Sequence, residues 1–365
     1  MSEWAVKSIQ AYKDMHSPDD DSDYSETLST DEIRGWLLGR ISSDYSTPMT
    51  EKQIARLTDA AVEKIYNNMM ATKNLGSIMA INGPDLNITD TDKYCYIMTY
   101  SFPCQDLSSA GKGMGMAKGS GTRSGLLWEV ERLLKEMDEL PQICLMENVP
   151  EVIRAKNMPH FAEWVSFLDS LGYKTKTQVL NTKNFGVPQN RERCFAVSFL
   201  GDYYYDTPQG FPLKQRLKDV LEKNVDESYY LKDATLNYFI SHSEEMKEKG
   251  NGFRFEPTDG GGLAKAITTR AGARMDDNFI LEETCRVRKL TEKECFRLQG
   301  VKDEDFDRVK KHQSKSSLYH LAGDSITTSV LMALFGEMLG IDWRSKVDEL
   351  AEDLSKERNI KNDTH

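Results

Sequence analysis

Residues 76–200 alternate short apolar runs with amphipathic stretches, and no other feature restricts the possible folds as much. Positions 94–100, 143–146 and 194–199 are apolar runs of strand length, while 126–137 and 161–171 repeat apolar residues every three to four positions. Strand, helix and strand in succession form the βαβ unit. This predicts an α/β domain with a parallel sheet covered by helices.

The flanking segments have different patterns. Asp19, Asp20, Asp21 and Asp23 lie among serines with little to bury, which reads as an exposed acidic loop. Ser29-x-x-Glu32 and Thr50-x-x-Gln53 have capping-box form. After the second, Ile54, Leu57, Ala61, Ile65 and Met69 predict one amphipathic helix. Residues 17–72 therefore read as a helical insertion packed on a larger body, with partner binding as the lesser alternative. Residues 201–285 break the alternation with Tyr203, Tyr204 and Tyr205, several prolines and Gly260, Gly261 and Gly262, and read as a second, smaller domain. Helical patterning returns at 291–298 and 325–339, and from 346 the chain reads as a charged tail with little to anchor it.

Length and charge set the outer bounds. At 365 residues the chain has room for two domains, and its net charge of −11 confines any nucleic-acid contact to a local patch. No apolar run approaches the ~20 residues of a membrane span. The start, Met1 to Lys7, lacks the basic and apolar regions of a signal peptide. These features read as a cytoplasmic protein with no membrane partner. The six cysteines form no CxxC pair, so they point neither to a metal site nor to a disulfide framework, and most are expected to be reduced and buried.

Three segments carry candidate chemistry. Ile97, Met98, Thr99 and Tyr100 run into Ser101, Phe102, Pro103, Cys104 and Gln105, followed by six glycines between Gly111 and Gly125. A cysteine just past a parallel strand sits where α/β folds place ligands, although a free cysteine is more often a small buried hydrophobe. The next strand ends in Glu147, Asn148, Val149 and Pro150, and a carboxylate there is either a helix cap or a catalytic acid. A nucleophile and an acid on adjacent strand ends suit covalent catalysis. Gln189, Asn190, Arg191, Glu192 and Arg193 lead into the third strand with the two arginines alternating toward one side. They suit a phosphate or a polar base edge, or else a surface ion pair through Glu192.

Together these segments resemble the cytosine C5-specific DNA methyltransferase family. Pro103-Cys104-Gln105 matches its nucleophile motif, Glu147-Asn148-Val149 its acid motif, and Gln189, Arg191 and Arg193 its Gln-x-Arg-x-Arg motif. Residues 288–300 and 322–326 look like its last two motifs, with Asp324 where Asn is usual. The likeness spans roughly residues 1–345. It implies a Rossmann-like, S-adenosyl-L-methionine-dependent methyltransferase sheet with a smaller target-recognition domain. The catalytic domain would take 1–200 and 286–345, the recognition domain 201–285.

By that resemblance Cys104 adds to C6 of a cytosine flipped out of double-stranded DNA, and Glu147 meets N3 and the exocyclic amine. Arg193 holds O2, while Arg191 and Ser108 position phosphate or the loop. Gln105, Gln189, Lys265, Thr268, Arg270 and Arg274 are the further candidate DNA contacts. The cofactor candidates are Glu3 for the ribose, Trp4 for the adenine, and Ser77, Ile78, Pro103, Asp324 and Ser325. Ser77 replaces the family's usual acid, and its Phe-x-Gly-x-Gly loop does not occur in the sequence. The chain thus reads as starting one strand and one loop late, and the expectation is a separate short polypeptide carrying that loop, or an upstream gene start. The role would be restriction-modification or phage or orphan DNA modification. The rival readings are a transfer-RNA cytosine C5 methyltransferase and a catalytically silent DNA-binding remnant.

Overall fold

The structure, a computed structural model, describes residues 1–104, 107, 115–202, 205–250, 252 and 254–359. The chain divides into two compact units, one formed by Met1–Leu180 with Arg193–Tyr204 and the other by Asn181–Glu192 with Tyr205–His365.

The first unit opens with four helices, α1 (Val6–His16), α2 (Thr30–Leu37), α3 (Glu51–Ile54) and α4 (Asp59–Ala71). Ser29 and Thr50 both form full capping boxes with Glu32 and Gln53. The helix expected to run on from Thr50 is broken, because Thr58 makes a fresh N-cap on Ala61 N. Ile9, Ile33, Leu37, Ile54, Val62, Ile65 and Met69 share one apolar core, so α1, which precedes the expected insertion, belongs to the same helical group.

The sheet follows, as β1 (Ile97–Ser101), α5 (Leu127–Glu136), β2 (Ile143–Asn148), α6 (Met158–Ser170), β3 (Tyr173–Asn181) and, after a two-residue β4 (Gln189–Asn190), β5 (Glu192–Leu200). Its order is β1-β2-β5-β3. β1 and β2 run parallel, with Ile97 opposite Ile143 and Ser101 opposite Glu147. β5 departs from the all-parallel expectation and runs antiparallel to β2, with Phe199 opposite Ile143 and Cys194 opposite Asn148. The cause is β3, which the apolar pattern does not announce, because Lys174, Thr175, Lys176, Thr177 and Gln178 suit an edge strand. The link 182–191 carries no helix of crossover length, so β5 turns back. Every residue of β2 is buried, and Cys144 and Met146 pack with Trp128, Trp164, Leu168 and Tyr173.

The second unit contains α7 (Asp233–Glu248), β6 (Ala264–Lys265), which pairs with β4, and the antiparallel pair β7 (Phe279–Leu281) and β8 (Val287–Lys289). Five helices complete it: α8 (Glu292–Arg297), α9 (Asp303–Lys310), α10 (Lys315–Asp324), α11 (Thr328–Leu339) and α12 (Arg344–Asn359). Residues 286–345 and 205–285 both fall in this unit. Arg288, 1% exposed, makes two 2.9 Å bonds to the fully buried Glu294, and Gln299 donates to the Ala322 carbonyl at 2.8 Å. The charged tail is anchored as α12, because Val347, Leu350, Ala351 and Leu354 form a buried stripe at helical spacing.

Gly323 in this unit leaves no room for a side chain without a shift of the backbone beside it. A Cβ on Gly323 would lie 2.3 Å from Thr269 N and 2.4 Å from the Thr268 carbonyl carbon, both of them backbone atoms. Gly323→Ala is expected to lower the unfolding free energy by about 1–3 kcal/mol. Urea titration should show a lower midpoint at unchanged slope; an unchanged midpoint would mean that α10 shifts without cost.

Candidate active site

Three strand ends of the first unit meet at one edge of the sheet. The parallel β1 and β2 bring their C-terminal residues there, and β5, being reversed, brings its beginning. Glu147, 8% exposed at the end of β2, accepts a 3.1 Å bond from Ser101 Oγ at Oε2 and faces Arg193 Nε at 3.1 Å from Oε1. The segment from Ser101 to Cys104 is tied to the same edge. Asn148 Nδ2 donates to the Phe102 carbonyl at 2.9 Å, Ser124 Oγ donates to the Pro103 carbonyl at 2.6 Å, and Leu107 N donates to the Cys104 carbonyl at 3.0 Å. Ser101, Ser124 and Asn148 were not singled out from sequence as site residues. Asn148 stands within the Glu147-Asn148-Val149 motif, and Ser101 at a strand end in register with Glu147.

The cysteines separate by environment. Cys104 is half-buried beside this edge, Cys95 and Cys285 are exposed, and Cys144, Cys194 and Cys295 are buried. Three of six are thus buried, fewer than expected. Burial pushes the Cys144 thiol up to about 12, and burial with the Glu147 charge does the same for Cys194. Burial also holds Cys295 well above the ordinary thiol range. Thiolate chemistry near neutral pH is closed to these three. Iodoacetamide at pH 8 should therefore label Cys95 and Cys285 in the native protein and spare Cys144, Cys194 and Cys295, as read by peptide mass mapping. Labelling of Cys194 at the rate of Cys95 would contradict this.

A model of the family "C-5 cytosine-specific DNA methylase" matches residues 45–340. The chain belongs to this family. It is therefore a methyltransferase that acts on C5 of cytosine in DNA. It is 33% identical to the type II methyltransferase M2.ScrFI of Lactococcus lactis subsp. cremoris, over 85% of this chain and 83% of that one. It is 31% identical to the orphan methyltransferase M.SssI of Spiroplasma monobiae, over 93% of this chain and 90% of that one. Among solved structures, S. pombe Dnmt2 aligns with a TM-score of 0.54 at 19% identity, covering 72% of this chain and 82% of that one. Entamoeba histolytica EhMeth aligns at 0.56 and 16%, covering 75% and 85%. The fold is a Rossmann-like methyltransferase fold.

The other residues of the methylase singled out from sequence separate into distinct groups. Gln105 and Ser108 lie outside the described residues. Arg191, 3% exposed, is turned into its own unit, where its Nη1 donates to the Ile267 carbonyl at 2.9 Å and its Nη2 to those of Gly323 and Ser325 at 2.9 and 3.0 Å. Gln189 is fully buried, donating to the Leu298 carbonyl and accepting from Ile267 N at 2.8 Å. Neither is presented to a phosphate or a base; both fasten the second unit internally.

Lys265, Thr268 and Arg270 are exposed. Lys265 Nζ donates to the Asp276 carbonyl at 3.0 Å. Arg274 forms a two-pronged pair with Asp276 at 3.0 Å on both arms, so an acid just past the segment offsets its charge. Among the cofactor candidates, Glu3 and Trp4 lie beside Gly76 and Ser77. Asn74 brackets the Glu3 backbone at 3.0 and 2.9 Å, and Ser2 Oγ donates to the Gly76 carbonyl at 2.7 Å. Ile78 packs on the core around Phe102, Pro103 is half-buried, and Ser77 Oγ accepts from Met79 N at 3.3 Å. In the second unit Asp324 pairs with His320 at 2.9 Å, and Ser325 Oγ donates to the Leu321 carbonyl at 2.6 Å. Among the described residues no helix is long and apolar enough to cross a membrane.

Proposed function

We propose that the chain methylates C5 of a cytosine flipped from a specific duplex sequence, with Cys104 as nucleophile, Glu147 at N3 and the exocyclic amine, and Arg193 at O2. The observation that carries this is the convergence of the Cys104 segment with the Glu147–Arg193 pair on one sheet edge. Cytosine C5 is a weak nucleophile. A thiolate added at C6 pushes electrons into the ring, and an acid at N3 draws off the charge as the bond forms. The Asn148 and Ser124 bonds position the segment so that little reorganisation is needed at that step. With Arg193 turned to O2, the carboxyl of Glu147 is released to the base. Arg270 and Lys265 serve phosphate contacts better than Arg274, whose charge Asp276 offsets. The two named relatives are methyltransferases, one type II and one orphan, and either role is compatible with this chemistry.

The family generally uses S-adenosyl-L-methionine, and the donor set around the first residues fits the adenosine half. An acid, Glu3, suits the ribose hydroxyls and an indole, Trp4, the adenine face, both half-exposed beside Gly76. When bound, the cofactor supplies the methyl group. We also propose that a strand from a separate short polypeptide carrying a glycine-rich loop pairs with β1, whose one sheet neighbour among the described residues is β2.

Cys104→Ser should abolish methyl transfer while leaving the urea midpoint unchanged, since the substitution removes a polarizable thiolate and little volume. Residual turnover above a few per cent of the unsubstituted chain would exclude Cys104 as nucleophile. For the strand partner, S-adenosyl-L-methionine affinity measured by calorimetry should rise when a peptide carrying the strand and glycine-rich loop is added. Equal affinity with and without the peptide would reject it.

A further inference from the structure

Glu147 has two oxygens, and the neighbouring strand treats them differently. We infer that Ser101 is a positioning residue for the acid: its hydroxyl fixes the plane of the Glu147 carboxyl and reserves Oε1 for the proton exchanged with the base. The inference rests on the methyl-transfer chemistry proposed above and goes further by assigning a role outside the nucleophile and acid motifs.

The geometry begins with register. Ser101 and Glu147 are opposite partners in the parallel β1–β2 ladder, so their side chains leave the same face of the sheet. Ser101 Oγ lies 3.1 Å from Oε2, and Arg193 Nε lies 3.1 Å from Oε1. One oxygen thus meets a neutral donor from β1 and the other a cation from β5. A carboxylic acid keeps one accepting oxygen and one O–H. While the Ser101 hydroxyl donates to Oε2, that oxygen acts as the acceptor, which leaves Oε1 for the proton once Arg193 has turned to the base. Arg193 opposes a proton there while it is paired, and its transfer to the base oxygen removes the opposition. Cys194, the buried thiol nearby on β5, carries no charge to compete.

The proton balance follows. As Cys104 Sγ bonds to C6, the C5–C6 π pair moves into the ring toward C4, and the C4–N3 π pair takes the proton from Oε1. The product is a ring enamine with N3–H and an ionised Glu147 whose Oε2 is still held by Ser101. Elimination of the thiolate reverses each transfer. In water, C5 of the adduct can exchange its hydrogen with solvent before elimination, which gives a readout with no methyl donor present.

The test is release of tritium from unmethylated bacterial chromosomal DNA labelled at cytosine C5, incubated with the full chain without methyl donor. Ser101 is exposed and lies in a strand, so Thr and Val are both accommodated and differ only in hydroxyl against methyl. Ser101→Thr should keep turnover within about threefold of the unsubstituted chain, while Ser101→Val and Ser101→Ala should lose about tenfold in kcat with KM for DNA unchanged. Equal rates for the Thr and Val variants, or a loss confined to KM, would overturn the role of Ser101. No release by the unsubstituted chain would instead remove the thiolate addition itself, and with it the proposed function.

Discussion

The reversed pairing of β5 on β2 is the constraint on which the site depends. A strand that entered the sheet parallel to β2 would deliver Arg193 to the far end, a strand's length from Glu147. Antiparallel, with Cys194 opposite Asn148, the start of β5 meets the end of β2, and an arginine and a glutamate remote in sequence come within 3.1 Å. The same ladder makes the cost of moving Glu147 high, since its backbone is held on both sides, by β1 and by β5. Backbone hydrogen bonds of this kind set positions that side chains alone would not hold.

Arg191 and Arg193 look equivalent in the sequence and have opposite roles in the structure. β5 begins at Glu192, so Arg191 stands before the strand and the alternation that would put both on one side does not extend to it. Arg191 belongs to the second unit and uses its guanidinium on three carbonyls. A buried arginine bonded to carbonyls recovers part of the hydration it loses, and those bonds hold Arg191 within its own unit. Arg193, two residues on, keeps partial exposure and pairs with the Glu147 carboxylate.

The parts legible in the sequence are those set by local rules or by full burial. The Ser29 and Thr50 capping boxes need only four consecutive residues, and β2 is apolar until its polar end because both its faces are covered. β3 was hidden because an edge strand tolerates Lys174 and Lys176, and α12 because its charged residues outnumber the stripe of Val347, Leu350, Ala351 and Leu354. Cys104 and Glu147 were legible from their motifs, and Asn148 only as a letter of one, whereas Ser101 and Ser124 act through bonds to another motif or to backbone, and no residue type announces such a bond. The unit boundaries were hidden for a related reason: buried bonds such as the one from Arg297 Nη1 to the Val220 carbonyl join segments that share no sequence pattern.

The position of Arg191 bears on how the protein is made. Two of the carbonyls that satisfy its guanidinium belong to Gly323 and Ser325, 132 and 134 residues later in the chain. At a synthesis rate of ~5–20 residues per second, a ribosome needs roughly 7–27 s to reach them. Throughout that interval the guanidinium must stay hydrated, so the second unit cannot close around it before almost the whole chain has emerged. The sheet of the first unit ends at Leu200 and is under no such delay. Vectorial synthesis therefore gives the strand edge with Glu147 and Arg193 time to form first.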